Sequence, residues 1–226
     1  EKLAQMTVLD VPEQLAFSED QVAALFESWP HGVGALSRIG LQRSPEETAR
    51  VCNHLQHYLV TQTRLGIPAL VIDEALHGLM AQGATSFPQA IALASTWDPG
   101  LVEEVFVATS REMRSRGGNL ALTPVLDLAR DPRWGRTEET YGEDPYLVSR
   151  IGLAAVRGLQ GGELPISAEH VIATAKHFAV HGQPEAGTNA APANYSEREI
   201  REFFLAPFQT AVITGKVQCV MASYNE

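Results

Sequence analysis

Apolar positions along the chain recur at two periods. Where the period is near 3.6, a capping signal stands at the start of the run. "SPEETARVCNHLQHYL" offers Ser44 as N-cap, Pro45 at the first helical position and Glu47 closing a capping box, with Val51, Leu55 and Leu59 on one face. "WDPGLVEEVFVATSREM" repeats the device with Asp98 and Pro99, and predicts Leu101, Val105 and Phe106 in the core. "EDPYLVSRIGLAAVRGL" begins the same way at Asp144 and Pro145. "YSEREIREFFLAPFQTAV" offers another box in Ser196 and Glu199, and turns Ile200, Phe203, Phe204 and Phe208 inward.

Between these helices lie short, nearly continuous apolar runs: "IPALVIDEA", "NLALTPVLDLA", "HVIATAKHF" and "VQCVMASYN", with "VGALSRIG" as a fifth candidate. Helices alternating with such strands predict βα units around a parallel sheet buried on both faces. The expected class is α/β, as about five βα units of an incomplete (β/α)8 barrel. No GxGxxG or GxxxxGK[ST] occurs, so a nucleotide-binding doubly wound sheet has no support.

Composition narrows the partners. A chain of 226 residues suits one large domain, 1–226. Its net charge of −10, with no Lys/Arg cluster, argues against nucleic acid and anionic membrane as partners. No apolar run reaches the roughly 18 residues of a spanning helix. Cys52 and Cys219 fit no metal spacing and are expected to be buried hydrophobes; no metal or cofactor is implied. The opening "EKLAQMTVLD" lies already within an amphipathic pattern, which suggests a trimmed start and gives no cellular address. "HGQPEAGTNAAPAN" is long and rich in turn formers, as functional loops are.

Each apolar run breaks into polar residues at its C-terminal end. Asp73 and Glu74 follow one, Asp127 the next, then Lys176 and His177, then Ser223, Tyr224 and Asn225. In a barrel these ends open onto the face where barrel enzymes place their sites. Lys176 and His177 are expected to face a polar pocket opposite Asp73; the alternative is a structural Lys–Asp pair. In "RDPRWGRTEETYGEDP", Arg130, Asp131, Glu138, Glu143 and Asp144 are expected to pair among themselves, while Trp134 either packs the loop or stacks on a ligand. Asp, Lys and His joined by an Arg suit a sugar, whose hydroxyls both donate and accept.

"VIDEALHG", "FPQAIALASTWDP", "PVLDLARDPRWGRTEETYGEDP", "KHF" and "VMASYNE", in this order, resemble glycoside hydrolase family 3, nearest its β-glucosidase and β-xylosidase branch. "EKLAQMT" is similar to that family's opening helix. The resemblance implies that Asp73 binds outer hydroxyls of the sugar, that Arg136, Lys176 and His177 hold others, and that Tyr224 lies near the reacting carbon with Met221 as an apolar wall. Glu139 then supports Arg136. The implied partner is a β-linked glucoside or xyloside, presented as an oligosaccharide or aryl glycoside.

Retaining glycosidases need a carboxylate nucleophile and an acid/base about 5 Å apart. The resemblance places the nucleophile, an Asp, on the strand after "SYN", beyond Glu226. No catalytic residue is therefore assigned within the chain; Asp127 is expected to be scaffold and Glu226 a loop residue. By itself the chain is expected to turn over no aryl β-glucoside, its partner being the missing remainder of the enzyme. Three alternatives stand beside this. A β-N-acetylglucosaminidase of the same family would want Asp-Ser-His in the loop after "KHF", where only His181 is a candidate. A Schiff-base aldolase would use Lys176. A non-catalytic carbohydrate-binding or scaffold fragment is the third.

Overall fold

A computed structural model describes the chain except Gln14, Ala16, Phe17 and Glu226, so the expectation for Glu226 lies outside the described residues. Among the described residues six strands form one sheet: β1 (Val8–Asp10), β2 (Ala35–Ser37), β3 (Leu70–Asp73), β4 (Leu120–Ala121), β5 (Ile172–Phe178) and β6 (Cys219–Ala222). All neighbours are parallel, and the spatial order equals the chain order. With right-handed crossovers, that order puts every helix on one side and curls the sheet into part of a barrel.

The helices are α1 (Glu19–Phe26), α2 (Pro45–Gln62), α3 (Ala90–Ala94), α4 (Pro99–Ser115), α5 (Pro145–Gln160), α6 (Glu197–Glu199), continued by a π turn at Ile200–Phe204, and α7 (Ala206–Ile213). Four of these starts, those of α2, α4, α5 and α6, are the ones the sequence marks. Ser44 and Ser196 close capping boxes with Glu47 and Glu199, and Asp98 and Asp144 accept from the N–H groups of Leu101 and Leu147.

Two apolar clusters form the core. One packs Val22 and Phe26 of α1 and Val51, Leu55 and Leu59 of α2 against Leu36 and Val71 of the sheet. The larger packs α4, α5 and α7 against β4 and β5. There Gly158 lets two helices touch, since a Cβ would come within 2.5 Å of the Glu103 carbonyl oxygen and 2.8 Å of the Phe106 Cβ.

Four expectations need correction. The chain opens on a single 3-10 turn, Ala4–Met6, followed by β1, a strand the apolar pattern hides. Leu101 is exposed, because the buried stripe of α4 runs Val102, Val105, Phe106, Thr109 and Met113, one residue further on. Phe203 also faces outward. The π turn, in which Leu205 N–H donates to the Ile200 carbonyl at 2.9 Å, carries Phe204 and Phe208 to the core and leaves Phe203 against Arg130, 5.5 Å from the guanidinium carbon. Cys52 is buried as expected, but Cys219 is half-buried.

Candidate functional site

Parallel strands in chain order bring all their C-terminal ends to one rim, and the polar breaks of the sequence therefore meet there. On the β1–β3 side lies an open hollow of about 460 Å³, whose walls include Asp10, Ser37, Arg38, Asp73, Glu74 and Met80. Burial pushes the Asp73 carboxyl up to about 6. The backbone N–H of Arg38, which stands at φ +63°, opposes that rise by hydrogen-bonding the carboxylate, and the charge of Glu74 adds to it. Arg38 itself reaches 3.8 Å from Asp10 with both side chains exposed, a pair of little energetic weight.

On the β4–β6 side a second group forms around Arg136. After β4 the chain continues alongside β5, with Leu126 N–H donating to the Lys176 carbonyl and Lys176 N–H to the Pro124 carbonyl. This sets Asp127 beside His177. Asp127 Oδ2 accepts from the His177 backbone N–H at 3.2 Å and from its Nδ1 at 2.7 Å, with both side chains fully enclosed.

Arg136 comes from the loop before the 3-10 turn Thr137–Glu139 and is gripped at both ends of its fork by Glu139, at 2.8 Å (Nε) and 2.7 Å (Nη2). Burial works against the Glu139 carboxylate. The hydrogen bonds and charge of Arg136, with Lys176 and His177 beyond, still hold it below the usual range. The remaining guanidinium hydrogens point at two imidazoles: Nη2 lies 3.4 Å from His177 Nε2, and Nη1 lies 3.3 Å from His181 Nε2. Tyr224 closes the group, its ring centroid 5.0 Å from His177 and 4.8 Å from His181, with its hydroxyl on Met221 Sδ at 3.2 Å.

Lys176 links the two regions. Its ammonium is almost wholly enclosed and bonds both carboxylate oxygens of Glu74, at 2.9 and 3.2 Å. That corrects the sequence expectation: the partner is Glu74, the wall of the hollow, and not Asp73. A lysine held as a hydrogen-bonded ammonium is also poorly placed for Schiff-base chemistry.

Of the six candidate residues, Arg136, His177, Met221 and Tyr224 therefore share one connected cluster. Lys176 adjoins it, and Asp73 lines the hollow that Glu74, the partner of Lys176, also lines. Three participants were missed. Asp127, expected to be scaffold, fixes His177. His181, weighed above only as an acid/base, and Asn225 form a second such pair, with Nδ1 and Oδ1 2.8 Å apart. Asp127 and Asn225 did carry a signal, being polar residues at strand ends.

Trp134 is resolved as packing. It is 1 % exposed, donates from Nε1 to Asn189 Oδ1 at 3.0 Å, and sets its ring edge-on to His181 at 5.5 Å. In the same loop Asp131 pairs with Arg133 at 2.7 Å, Asp144 caps α5, and Arg130 meets Phe203 where a carboxylate was expected. Among the described residues no group of three or more His, Cys, Asp or Glu is placed to hold a metal ion, and no helix is long and apolar enough to cross a membrane.

Known proteins carry the same fold. The chain is 46 % identical over 170 residues to a β-xylosidase of Formosa agariphila, covering 72 % of this chain and 24 % of that protein. It is 35 % identical, also over 170 residues, to a β-glucosidase of Rhizobium radiobacter, covering 72 % and 20 %. Among solved structures, a β-glucosidase of Erythrobacter marinus superposes with a TM-score of 0.90 at 39 % identity, over 99 % of this chain and 30 % of that one. A β-glucosidase of Listeria innocua in complex with glucose gives 0.82 at 29 % identity, over 100 % and 31 %. The chain thus spans about a quarter of the length of the relatives it matches. The profile of the glycosyl hydrolase family 3 N terminal domain matches residues 1–226 throughout, and the chain belongs to that family.

Proposed function

We propose that the rim formed by β3 to β6 binds the terminal sugar of a β-linked glucoside or xyloside, and that the chain supplies most of that subsite to a retaining, exo-acting β-glucosidase or β-xylosidase. Asp73 accepts from the outer hydroxyls. Lys176 and Arg136 donate to hydroxyl oxygens, His177 accepts, and Met221 and Tyr224 form the wall against the reacting carbon. The assignment within the family rests on relatives named β-xylosidase and β-glucosidase.

One observation carries the sugar reading. Arg136 is fixed by Glu139 yet keeps N–H groups turned toward His177 and His181, beside the Tyr224 ring. A guanidinium needed only to neutralise Glu139 would have no reason to stand in a ring of imidazoles and a phenol. Hydroxyls, which donate and accept at once, match such a mixture of donors and acceptors, whereas a phosphate would favour glycines and helix N-termini.

Calorimetric titration of the chain with glucose, xylose and isofagomine, the last named with a Listeria innocua neighbour, tests this. Saturable binding is expected. Arg136→Ala should weaken it about 10- to 100-fold, the worth of one charge-assisted hydrogen bond. Absence of heat with all three, from a chain shown by circular dichroism to be folded, would remove the sugar assignment.

A further inference from the structure

The two imidazoles beside Arg136 are arranged alike. His177 turns Nδ1 to a carboxylate, Asp127 Oδ2 at 2.7 Å, which only accepts when ionised. His181 turns Nδ1 to Asn225 Oδ1 at 2.8 Å. The amide orientation there is fixed from both sides: Asn225 Nδ2 donates to the Ala191 carbonyl, and Oδ1 takes a further hydrogen from Ser223 Oγ at 2.7 Å. Each Nδ1 therefore faces an acceptor, while each Nε2 faces a guanidinium, a group with donors only. One tautomer alone satisfies both ends of both rings.

We propose that Asp127 and Asn225 are positioning residues that hold His177 and His181 with the hydrogen on Nδ1, so that His177 Nε2 and Arg136 Nη2 form a matched acceptor and donor for a single substrate hydroxyl. The 3.4 Å between those atoms is too long for a strong bond, and because His177 is enclosed a hydroxyl reaches both only as the half-exposed Tyr224 ring beside it swings aside, giving its hydrogen to Nε2 and accepting one from Nη2. The group bonded to one ring nitrogen of a histidine ordinarily decides which nitrogen is free, and both such groups are held here, Asp127 by enclosure and Asn225 by its bond to the Ala191 carbonyl. The charged and titratable groups around the pair are Arg136, Glu139, Lys176, Asp127 and Tyr224. Burial keeps His181 below the usual imidazole range, which agrees with a bare Nε2. The hydroxyl-reading half of this rests on the sugar assignment above, whereas the tautomers do not.

The test begins with the chain labelled with 15N-histidine, its imidazole nitrogens observed by long-range 1H–15N correlation at neutral pH. His177→Gln and His181→Gln variants assign the two signals among the seven histidines. Both rings should show a protonated Nδ1 and a bare Nε2. Asp127→Asn should move His177 toward the other tautomer and raise the Kd for glucose or xylose about 10- to 100-fold, while Asn225→Ala should loosen His181 alone. Sugars with one hydroxyl replaced by fluorine should lose a similar factor at one ring position, since fluorine cannot donate.

A wild-type His177 protonated on Nε2 overturns the proposal, and this spectrum decides even where Asp127→Asn fails to fold. An Asp127→Asn chain that folds with tautomer and affinity unchanged overturns it too. Wild-type tautomers as expected, with no sugar bound, would overturn the hydroxyl reading and the proposed function while leaving the positioning role of Asp127 established.

Discussion

Asp73→Asn is expected to make the protein more stable and the site nearly useless. The hollow raises the Asp73 carboxyl to about 6 from an ordinary 3.8, chiefly by burial, so folding disfavours its charge. Below about pH 4 the group is protonated in both folded and unfolded chains and contributes no penalty. Between about pH 4 and 6 the unfolded chain releases this proton while the folded chain keeps it, so stability falls across that window and levels off above it, where the folded chain carries a poorly solvated carboxylate. Discounted for the partial exposure of the side chain, the loss at pH 7 to 8 is about 1–2 kcal/mol. The amide variant should recover that amount in urea unfolding at pH 7.5 and recover nothing at pH 3.5. It also replaces one carboxylate oxygen by an NH2 donor and removes the charge, so that an outer hydroxyl loses its acceptor, and the Kd for glucose or xylose should rise more than about 100-fold. A stability difference that is the same at both pH values would show that the hollow does not penalise the charge.

Trp134→Ala should have the largest effect on folding. The indole is enclosed and bridges two long loops. Its Nε1 holds Asn189, its edge meets His181, and Gly182 passes so near that a Cβ there would lie 3.2 Å from the ring. Removing a buried indole costs about 3–5 kcal/mol. In a chain of this length that lowers the melting temperature by roughly 6–20 °C. Trp134→Phe, which keeps most of the ring and loses the N–H, should cost about 1–2 kcal/mol. Calorimetric melting of the two variants separates these contributions, and an unchanged melting temperature for the alanine variant would mean the loops are held elsewhere.

Much of this architecture is legible in the sequence because its signals are local. Four helix starts announce themselves through Ser or Asp caps, three with proline behind, and each is realised. The strand at Val8–Asp10 is hidden because three residues cannot establish a period of two and an amphipathic pattern surrounds them. Phe203 escapes because a π turn adds a residue that helical spacing does not anticipate.

The site divides along the same line. Which residues crowd the rim follows from the polar breaks at strand ends. Who pairs with whom does not. Asp73 and Glu74 are adjacent, and neighbours along an extended chain point to opposite sides, so only the registers of β3 on β4 and of β4 on β5 show that Lys176 takes Glu74. Asp127 likewise meets His177 only because the chain beyond β4 stays alongside β5.

The double grip of Glu139 on Arg136 has a thermodynamic consequence. A free arginine at a binding surface must give up several rotatable bonds when it captures a ligand, and that lost freedom subtracts from affinity. Here Glu139 immobilises the side chain by itself, so the ordering cost is met during folding. Capture of something as small as one sugar ring, which offers few contacts to offset such a loss, becomes feasible for that reason.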